Sequence, residues 1–266
     1  MNFPKIMGIV NVTPDSFSDG GRYFDTNLAV KHSLDLIDEG AEYIDIGGES
    51  TRPGSVSVNE EEEFKRVLPV IKAVLKEKPD TIISIDTTKP YVALRAVGEG
   101  AKLINNILGI KNDEKILKIA SENQVGLIIM HIQGEPRTMQ DNPVYKNVVD
   151  DVFKELEQSV IYAAGYGVKK IIADVGIGFG KSLEHNIELL RNLEKFKKLN
   201  VPLLLGISRK SFIGKFLNIE NTDERDLPTA LLHAFLLTKP IDIIRVHNVK
   251  NINMLKKLYI KLFLKK

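Results

Sequence analysis

Short apolar runs recur along the chain, and nearly every one of them ends at a residue that can bind a ligand or take part in chemistry. The runs are rich in Ile, Val and Leu and do not alternate with polar residues over any length, which is typical of strands buried on both faces. We therefore predict eight strands, at residues 6–10, 43–46, 82–85, 102–104, 127–130, 171–173, 203–205 and 243–246.

Segments of helical periodicity separate these runs. The clearest is 60–76, where Val67, Ile71 and Val74 share one stripe and Asn59 stands before four glutamates, a favourable helix start. Seven further segments show the same periodicity, and with 60–76 they predict eight helices. They are 27–39, 90–98, 113–123, 148–164, 183–196, 226–238 and 250–263.

Strict alternation of strands and helices predicts a parallel sheet with helical crossovers. Eight such units favour closure into a (β/α)8 TIM barrel, so we predict an α/β fold with a single domain over residues 1–266. The alternative is an open doubly wound sheet, which would have a glycine-rich turn leading directly from the first strand into a helix. Residues 12–25 are instead long and polar, and together with 47–59 they are predicted to be mobile loops over a site.

Composition excludes several classes of protein. The 266 residues are 43% hydrophobic and 27% charged with a net charge of +2, and no concentrated basic face for nucleic acid is evident. The chain has no cysteine, which excludes disulfides and thiolate zinc sites. No apolar stretch has the length of a membrane span, and the N-terminus does not read as a secretory signal. We predict a cytoplasmic protein without nucleic-acid or membrane partners.

The polar residues at the run ends fall into two chemical groups, which a barrel would bring to one face. Donors and oxygen ligands of neutral or positive character suit a phosphate or diphosphate, because arginine forks match its oxygens. Carboxylates, an amide and an ammonium suit the ring N–H groups and carbonyl of a flat nitrogen heterocycle. The first group is Asn11, Thr51, Arg52, Arg245 and His247, and the second is Asp86, Asn105, Asp174 and Lys210.

Structural roles compete with this interpretation at individual positions. An aspartate at a strand end is often a helix cap, and Arg245 is able simply to pair with Glu49 or Asp86. His32, His185 and His233 lie in predicted helices and read as packing or surface residues. The functional interpretation is favoured by the convergence of all eight run ends rather than by any one residue.

The run ends also carry motifs that resemble those of the dihydropteroate synthases, a pterin-binding family. The matching stretches, in chain order, are NVTPDSFSDGG at 11–21, GGESTRPG at 47–54, SIDT at 84–87, MHIQG at 130–134, DVGIGFG at 174–180, SRKS at 208–211 and RVH at 245–247. They span almost the whole chain, so the resemblance is much more specific than any single short motif.

The resemblance implies a (β/α)8 barrel that condenses 6-hydroxymethyl-7,8-dihydropterin diphosphate with p-aminobenzoate, assisted by Mg²⁺. It assigns catalysis to Asp86, Asp174, Lys210 and Arg245, and the metal to Asn11. Pterin binding is assigned to Asp86, Asn105, Ile107, Met130, Asp174, Phe179, Gly206 and Lys210, and diphosphate binding to Asn11, Thr51, Arg52, Arg245 and His247. The p-aminobenzoate site is assigned to Phe17, Pro53, Ser208, Lys210 and Ser211. A homodimer through 227–238 and 252–264 is also implied.

Three positions depart from the pattern expected of that family. Val175 stands where proline is usual, and Asn106 and Asn248 stand where aspartates are usual. Two alternatives remain: a pterin-binding methyltransferase domain that passes a methyl group to a corrinoid, and a non-catalytic pterin-binding or scaffold protein. The first has no need of a diphosphate site, and the second predicts damaged loop motifs, whereas both loop motifs are intact.

Overall fold

Eight parallel strands close into a barrel in the computed structural model, which describes residues 2–13, 22–50, 58–109, 114–135 and 138–264 (backbone alone for 22–25). Each strand pairs with its sequence neighbours, and the first pairs with the last. The strands are β1 (Lys5–Asn11), β2 (Tyr43–Gly47), β3 (Ile82–Asp86), β4 (Leu103–Asn106), β5 (Gly126–Met130), β6 (Ile171–Asp174), β7 (Leu203–Leu205) and β8 (Ile243–Val246). The predicted fold class is confirmed.

Nine α-helices lie on the outside of the barrel in the described part of the chain. They are α1 (Arg22–Asp38), α2 (Glu60–Glu77), α3 (Pro90–Gly98), α4 (Glu114–Glu122), α5 (Val148–Gly165), α6 (Leu183–Arg191), α7 (Ser211–Leu217), α8 (Asp226–Leu236) and α9 (Val249–Tyr259). Short 3₁₀ segments, Leu193–Leu199 and Asp223–Arg225, precede β7 and α8, and a π-helical segment, Ile260–Leu264, follows α9. No helix in the described ranges is both long and apolar enough to cross a bilayer.

The helix predictions need four corrections. Helix α7 lies between β7 and β8, where only one helix was predicted, because its seven residues are too short to show a periodic stripe. The predicted helix 183–196 ends at Arg191 and continues as 3₁₀ turns, and the one at 250–263 becomes π-helical after Tyr259. Helix α1 begins at Arg22, inside the segment predicted as a loop.

Helix caps fix where several helices begin. The Asn59 side chain accepts from Glu62 N, and four glutamates occupy the first turn of α2. Asn147 caps α5 in the same way, and Ser182 with His185 forms a capping box on α6. Each cap satisfies backbone N–H groups that have no partner within the helix.

Alternation along the strands separates two apolar clusters. Outward-facing residues join the helices in the large core, whereas Met7, Tyr43, Leu103, Ile128, Ile172, Leu204 and Ile243 form a separate cluster. Because alternate strand residues share a face, these seven side chains fill the barrel interior. The residues two positions further along β2, β4, β6 and β8 are Asp45, Asn105, Asp174 and Arg245. A polar layer therefore lies directly above an apolar floor.

Candidate active site

Arg245 is the centre of the polar layer. Its Nε donates to Asp45 Oδ2 at 2.6 Å, and its Nη2 donates to Asp86 Oδ2 at 2.7 Å. Asn105 Nδ2 also donates to Asp45 Oδ2, at 2.9 Å. Four strands thus contribute to one hydrogen-bonded network, as parallel strand ends in a barrel do.

Asp45 belongs to this network, although the sequence patterns did not indicate it. Its side chain is fully buried, and it occupies the second inward position of β2, two residues before the strand ends at Gly47. Counting alternate positions back from Gly47 would have identified it. Arg245 pairs with Asp86, as the structural alternative allowed, but not with Glu49. Glu49 accepts instead from Lys89 Nζ at 2.6 Å.

The proton affinity of Asp86 is strongly altered by this arrangement. Burial, and next the neighbouring Asp45, raise the pKa of Asp86 to about 7 against the opposing effect of Arg245. The pKa of Arg245 is raised: burial alone would lower it, and the two carboxylates more than compensate. The Asp86 carboxyl is therefore poised to change its protonation near neutral pH.

Asp174, at the end of β6, and Lys210, directly before α7, add two further charged groups to the site. Asp174 Oδ1 accepts from Gly176 N at 2.8 Å, and burial raises its pKa although Gly176 and Lys210 act in the other direction. Lys210 Nζ donates to Ile177 O at 2.7 Å and lies 3.9 Å from the centroid of the Phe179 ring. Burial lowers the pKa of Lys210 to about 7. The ammonium and the aromatic face form one corner of the site.

A second buried lysine stabilises the turn that carries Phe179. Lys181 Nζ lies 2.9 Å from His131 Nδ1 and donates to the carbonyls of Phe179 and His131 at 2.9 and 3.3 Å. Burial lowers the pKa of Lys181 to about 7. Gly176 and Gly180 have φ of +67° and +61°, and a Cβ at either would collide with the backbone of residues 131–133. Lys181 was not selected from the sequence, although it directly follows a matched motif.

The remaining predicted pterin contacts lie beside these groups. Met130 and Ile107 are buried, and a Cβ at Gly206 would lie 3.7 Å from Asp174 Oδ2. Asn11 ends β1 opposite Gly47, which in turn pairs with Asp86. The structure thus brings together the predicted residues of β1, β3, β4, β5 and β6 with Phe179, Gly206, Lys210 and Arg245.

The predicted anion and aminobenzoate residues are only partly described. Ser208 Oγ lies 3.0 Å from His247 Nδ1 and accepts from His247 N at 3.1 Å, which joins the turns after β7 and β8. Ser211 is the first residue of α7, directly after Lys210. Phe17, Thr51, Arg52 and Pro53 lie outside the described residues.

The three departures from the family pattern have structural roles. Val175 is completely buried in the large core, and Asn106 Oδ1 accepts from Leu108 N at 3.0 Å. Asn248 caps α9 by accepting from Asn251 N at 2.9 Å and donates to Asp226 Oδ2 at 3.2 Å. Of the three histidines read as packing or surface residues, His233 is fully buried and His185 forms part of the α6 capping box.

The described residues contain no group of three or more His, Cys, Asp or Glu side chains arranged to hold a metal. Asn11, which is half-buried at the end of β1, is the described residue that the sequence analysis assigned to Mg²⁺. Mg²⁺ often keeps several waters and binds through few protein groups together with substrate phosphates. A single amide oxygen beside the predicted anion site is compatible with that mode of binding.

Comparison with known proteins gives a consistent result. The model of the family described as pterin binding enzyme matches residues 7–247. The dihydropteroate synthase of Clostridium beijerinckii is 47% identical over 246 residues, which is 92% of this chain and 88% of the relative.

Two solved structures from Xanthomonas albilineans are similar over 99% of this chain. A dihydropteroate synthase with 4-aminobenzoic acid has a TM-score of 0.92 and 36% identity, and 94% of that chain is covered. A dihydropteroate synthase in complex with 7,8-dihydropteroate has a TM-score of 0.89 and 34% identity, with 95% of that chain covered.

Proposed function

Because this chain belongs to the pterin-binding enzyme family, we infer from the site geometry how its residues divide the work of one reaction. The reaction is that of dihydropteroate synthase. Dihydropteroate synthase is a transferase that joins 6-hydroxymethyl-7,8-dihydropterin diphosphate to p-aminobenzoate and releases 7,8-dihydropteroate and diphosphate. This function is favoured over a corrinoid methyltransferase or a scaffold protein, because the similarity to the synthases extends over almost the whole chain.

The pterin ring occupies the side of the site formed by Asp86, Asn105, Asp174 and Lys210. The carboxylates accept from the ring and amino N–H groups, and the ammonium donates to the carbonyl oxygen and a ring nitrogen. Buried Met130 and Ile107, with Phe179 over Lys210, form the walls. The apolar floor below the polar layer keeps water away from the ring, which strengthens each of these interactions.

Catalysis is substitution at the pterin methylene carbon. The C–O bond breaks with its electron pair leaving on the diphosphate, and the reduced ring delocalises the positive charge. Asp86 and Asp174 stabilise that charge, an effect of preorganised groups that is often the largest contribution to catalysis. The aniline nitrogen then forms the C–N bond with its lone pair and loses a proton to water, so no strong general base is required.

The diphosphate occupies the other side of the site. We assign His247, Asn11 and Arg245 to it, and Ser208 and Ser211 to the aminobenzoate. The family resemblance alone adds Thr51 and Arg52 to the first set and Phe17 and Pro53 to the second. Arg245 donates to two carboxylates here, and a guanidinium has five N–H donors, so these contacts are compatible with an additional contact to the anion. Mg²⁺ bound through Asn11 and diphosphate oxygens would supply charge neutralisation to the leaving group.

A homodimer is favoured by the exposed apolar side chains on α8 and α9. Phe235 is 80% exposed, and Leu227, Leu231, Met254 and Leu258 are each more than half exposed. Adjacent helices present all five, and exposed apolar patches of this kind mark interaction sites. Location in the cytoplasm stays a prediction from the sequence.

One observation carries the functional assignment: Arg245 on the last strand hydrogen-bonds Asp86 on the third, which unites the predicted anion and heterocycle groups in one site. The test is diphosphate release by purified protein given Mg²⁺, the pterin diphosphate and p-aminobenzoate. We expect release to stop with EDTA or with Asp86→Ala, and to continue with Asp80→Ala, which removes an exposed carboxylate just before β3. Absence of release by the unaltered protein would reject the assignment.

A further inference from the structure

Arg209 has no role in the reaction described above, yet both of its neighbours in the chain, Ser208 and Lys210, have one. It follows Ser208 and precedes Lys210, and its φ of +59° places it in the left-handed region, which non-glycine residues rarely adopt. Surrounding contacts must hold such a conformation in place. The contacts of Arg209 therefore control the direction in which the chain enters Lys210.

The first turn of α8 and the residue before it provide those contacts. Arg209 N donates to Thr229 Oγ1 at 3.2 Å, and the Arg209 carbonyl accepts from Arg225 Nη1 at 3.2 Å. The guanidinium forms a bidentate pair with Asp226, with Nε at 2.6 Å from Oδ1 and Nη2 at 2.8 Å from Oδ2. Bidentate arginine–carboxylate pairs are strong and geometrically specific.

Asp226 also contacts the chain beyond β8. Its Oδ2 accepts from Asn248 Nδ2 at 3.2 Å, and Asn248 at the same time caps α9. Asn248 follows His247, so one carboxylate joins the turn that carries Lys210 to the turn that carries His247. The Ser208–His247 hydrogen bonds form a second link between the same two turns.

We propose that Asp226 is a positioning residue that fixes Lys210 relative to His247, and thereby fixes the pterin side of the site relative to the diphosphate side. The proposal rests on the proposed function for the roles of these two residues. Aspartate is usual at position 248 in the family, and this chain has Asn248 there. The negative charge beside Asn248 is carried by Asp226 instead. A substitution at Asp226 should then affect both turns together.

The chain provides a matched control for this idea. Asp223 Oδ1 lies 2.6 Å from Arg209 Nη1, so it pairs with the same guanidinium, but its side chain is 76% exposed and that of Asp226 only 15%. Exposed pairs contribute little because water screens them. Asp223→Asn and Asp226→Asn therefore each remove one negative charge from the same guanidinium, but only Asp226→Asn also alters the link to Asn248.

The structural test is hydrogen exchange of two amides in the full-length protein without substrates. Lys210 N donates to Ile207 O and His247 N to Ser208 Oγ, so both amides report on their turns. We expect Asp226→Asn to accelerate exchange at both amides by about tenfold or more, since local opening governs exchange. Asp223→Asn should leave both rates within about twofold. Acceleration at one amide only, or at neither, would overturn the proposal whether or not the protein is active.

The functional test is the steady-state release of diphosphate. We expect Asp226→Asn to lower kcat/KM by about ten- to a hundredfold, because small displacements of positioned groups cost this much. The double variant Asp226→Asn with Asn248→Asp returns a carboxylate to the link and should recover activity to within about threefold of the unaltered protein. A lower melting temperature with unchanged kcat/KM, or no recovery in a folded double variant, would show a merely structural role. An inactive unaltered protein would instead contradict the proposed function.

Discussion

Replacing Asp45 with asparagine should lower the pKa of Asp86. The substitution removes a fully buried negative charge whose Oδ2 accepts from Arg245 and Asn105, and it leaves the shape of the side chain nearly unchanged. Asp45 is the neighbouring group that raises the pKa of Asp86 most, after burial itself. Arg245, released from one carboxylate, should also pair more completely with Asp86.

The magnitude follows from the pKa of Asp86. Its rise from 3.8 to about 7 disfavours the ionised form by about 4 kcal/mol, at about 1.4 kcal/mol per pH unit. A nearby charge moves a carboxyl pKa by about one to three units. We therefore expect Asp86 to titrate at least about one unit lower in Asp45→Asn.

The pH dependence of stability has a definite sign. The folded protein keeps a proton on Asp86 that the unfolded chain releases above about pH 4, so this group contributes stability below that pH. The contribution is lost as the pH rises through about 7. In Asp45→Asn the loss should be complete at a lower pH, although the variant is less stable because Arg245 loses a buried partner.

The assay is a ¹³C NMR titration of the aspartate carboxyl groups between pH 4 and 9, with Asp86→Asn to assign the resonance. Glu63→Gln is the matched control, because Glu63 is also completely buried and raises the pKa of Asp86 less than Asp45 does. An unchanged or higher Asp86 pKa in Asp45→Asn would refute the electrostatic account of the polar layer.

Two further predictions concern other parts of the molecule. Lys181→Met removes the Nζ group that contacts His131 and donates to the Phe179 carbonyl. Urea unfolding should show that the free energy of unfolding falls by about 1–3 kcal/mol. The KM for the pterin substrate should rise more than the KM for p-aminobenzoate. Phe235→Asp should dissociate the proposed dimer in sedimentation velocity, whereas Ile161→Asp, which alters an equally apolar exposed side chain on α5, should not; equal masses for the two variants would contradict the proposed interface.

The strand positions were predictable because burial on both faces leaves a strong signal in sequence. Strands β7 and β8 coincide with the predicted runs, and the other six differ by one or two residues at one or both ends. The polar residue after a run is then automatically near the barrel mouth. Asp86, Asn105 and Asp174 were identified in this way, and all three belong to the described site.

The missed residues share a physical reason: their roles depend on contacts between distant segments. Asp45 lies inside an apolar run, where an acidic residue is stable only because β8 places Arg245 against it, 200 positions later. Lys181 follows a glycine-rich turn and is buried only because that turn packs on the end of β5. Helix α7 is held by its neighbours rather than by its own seven residues.

Arg245 shows why the division into acidic and cationic groups was too simple. The sequence pattern predicts that Arg245 is a ligand of an anion, and the structure places it between two carboxylates. These roles are compatible, because an uncompensated cation at this depth would be costly and two buried carboxylates without it would repel each other. His247 directly follows β8, two positions after Arg245. When the pterin supplies N–H donors to Asp86, we expect the guanidinium to become a better donor to the diphosphate, so that binding at one end of the substrate prepares the other.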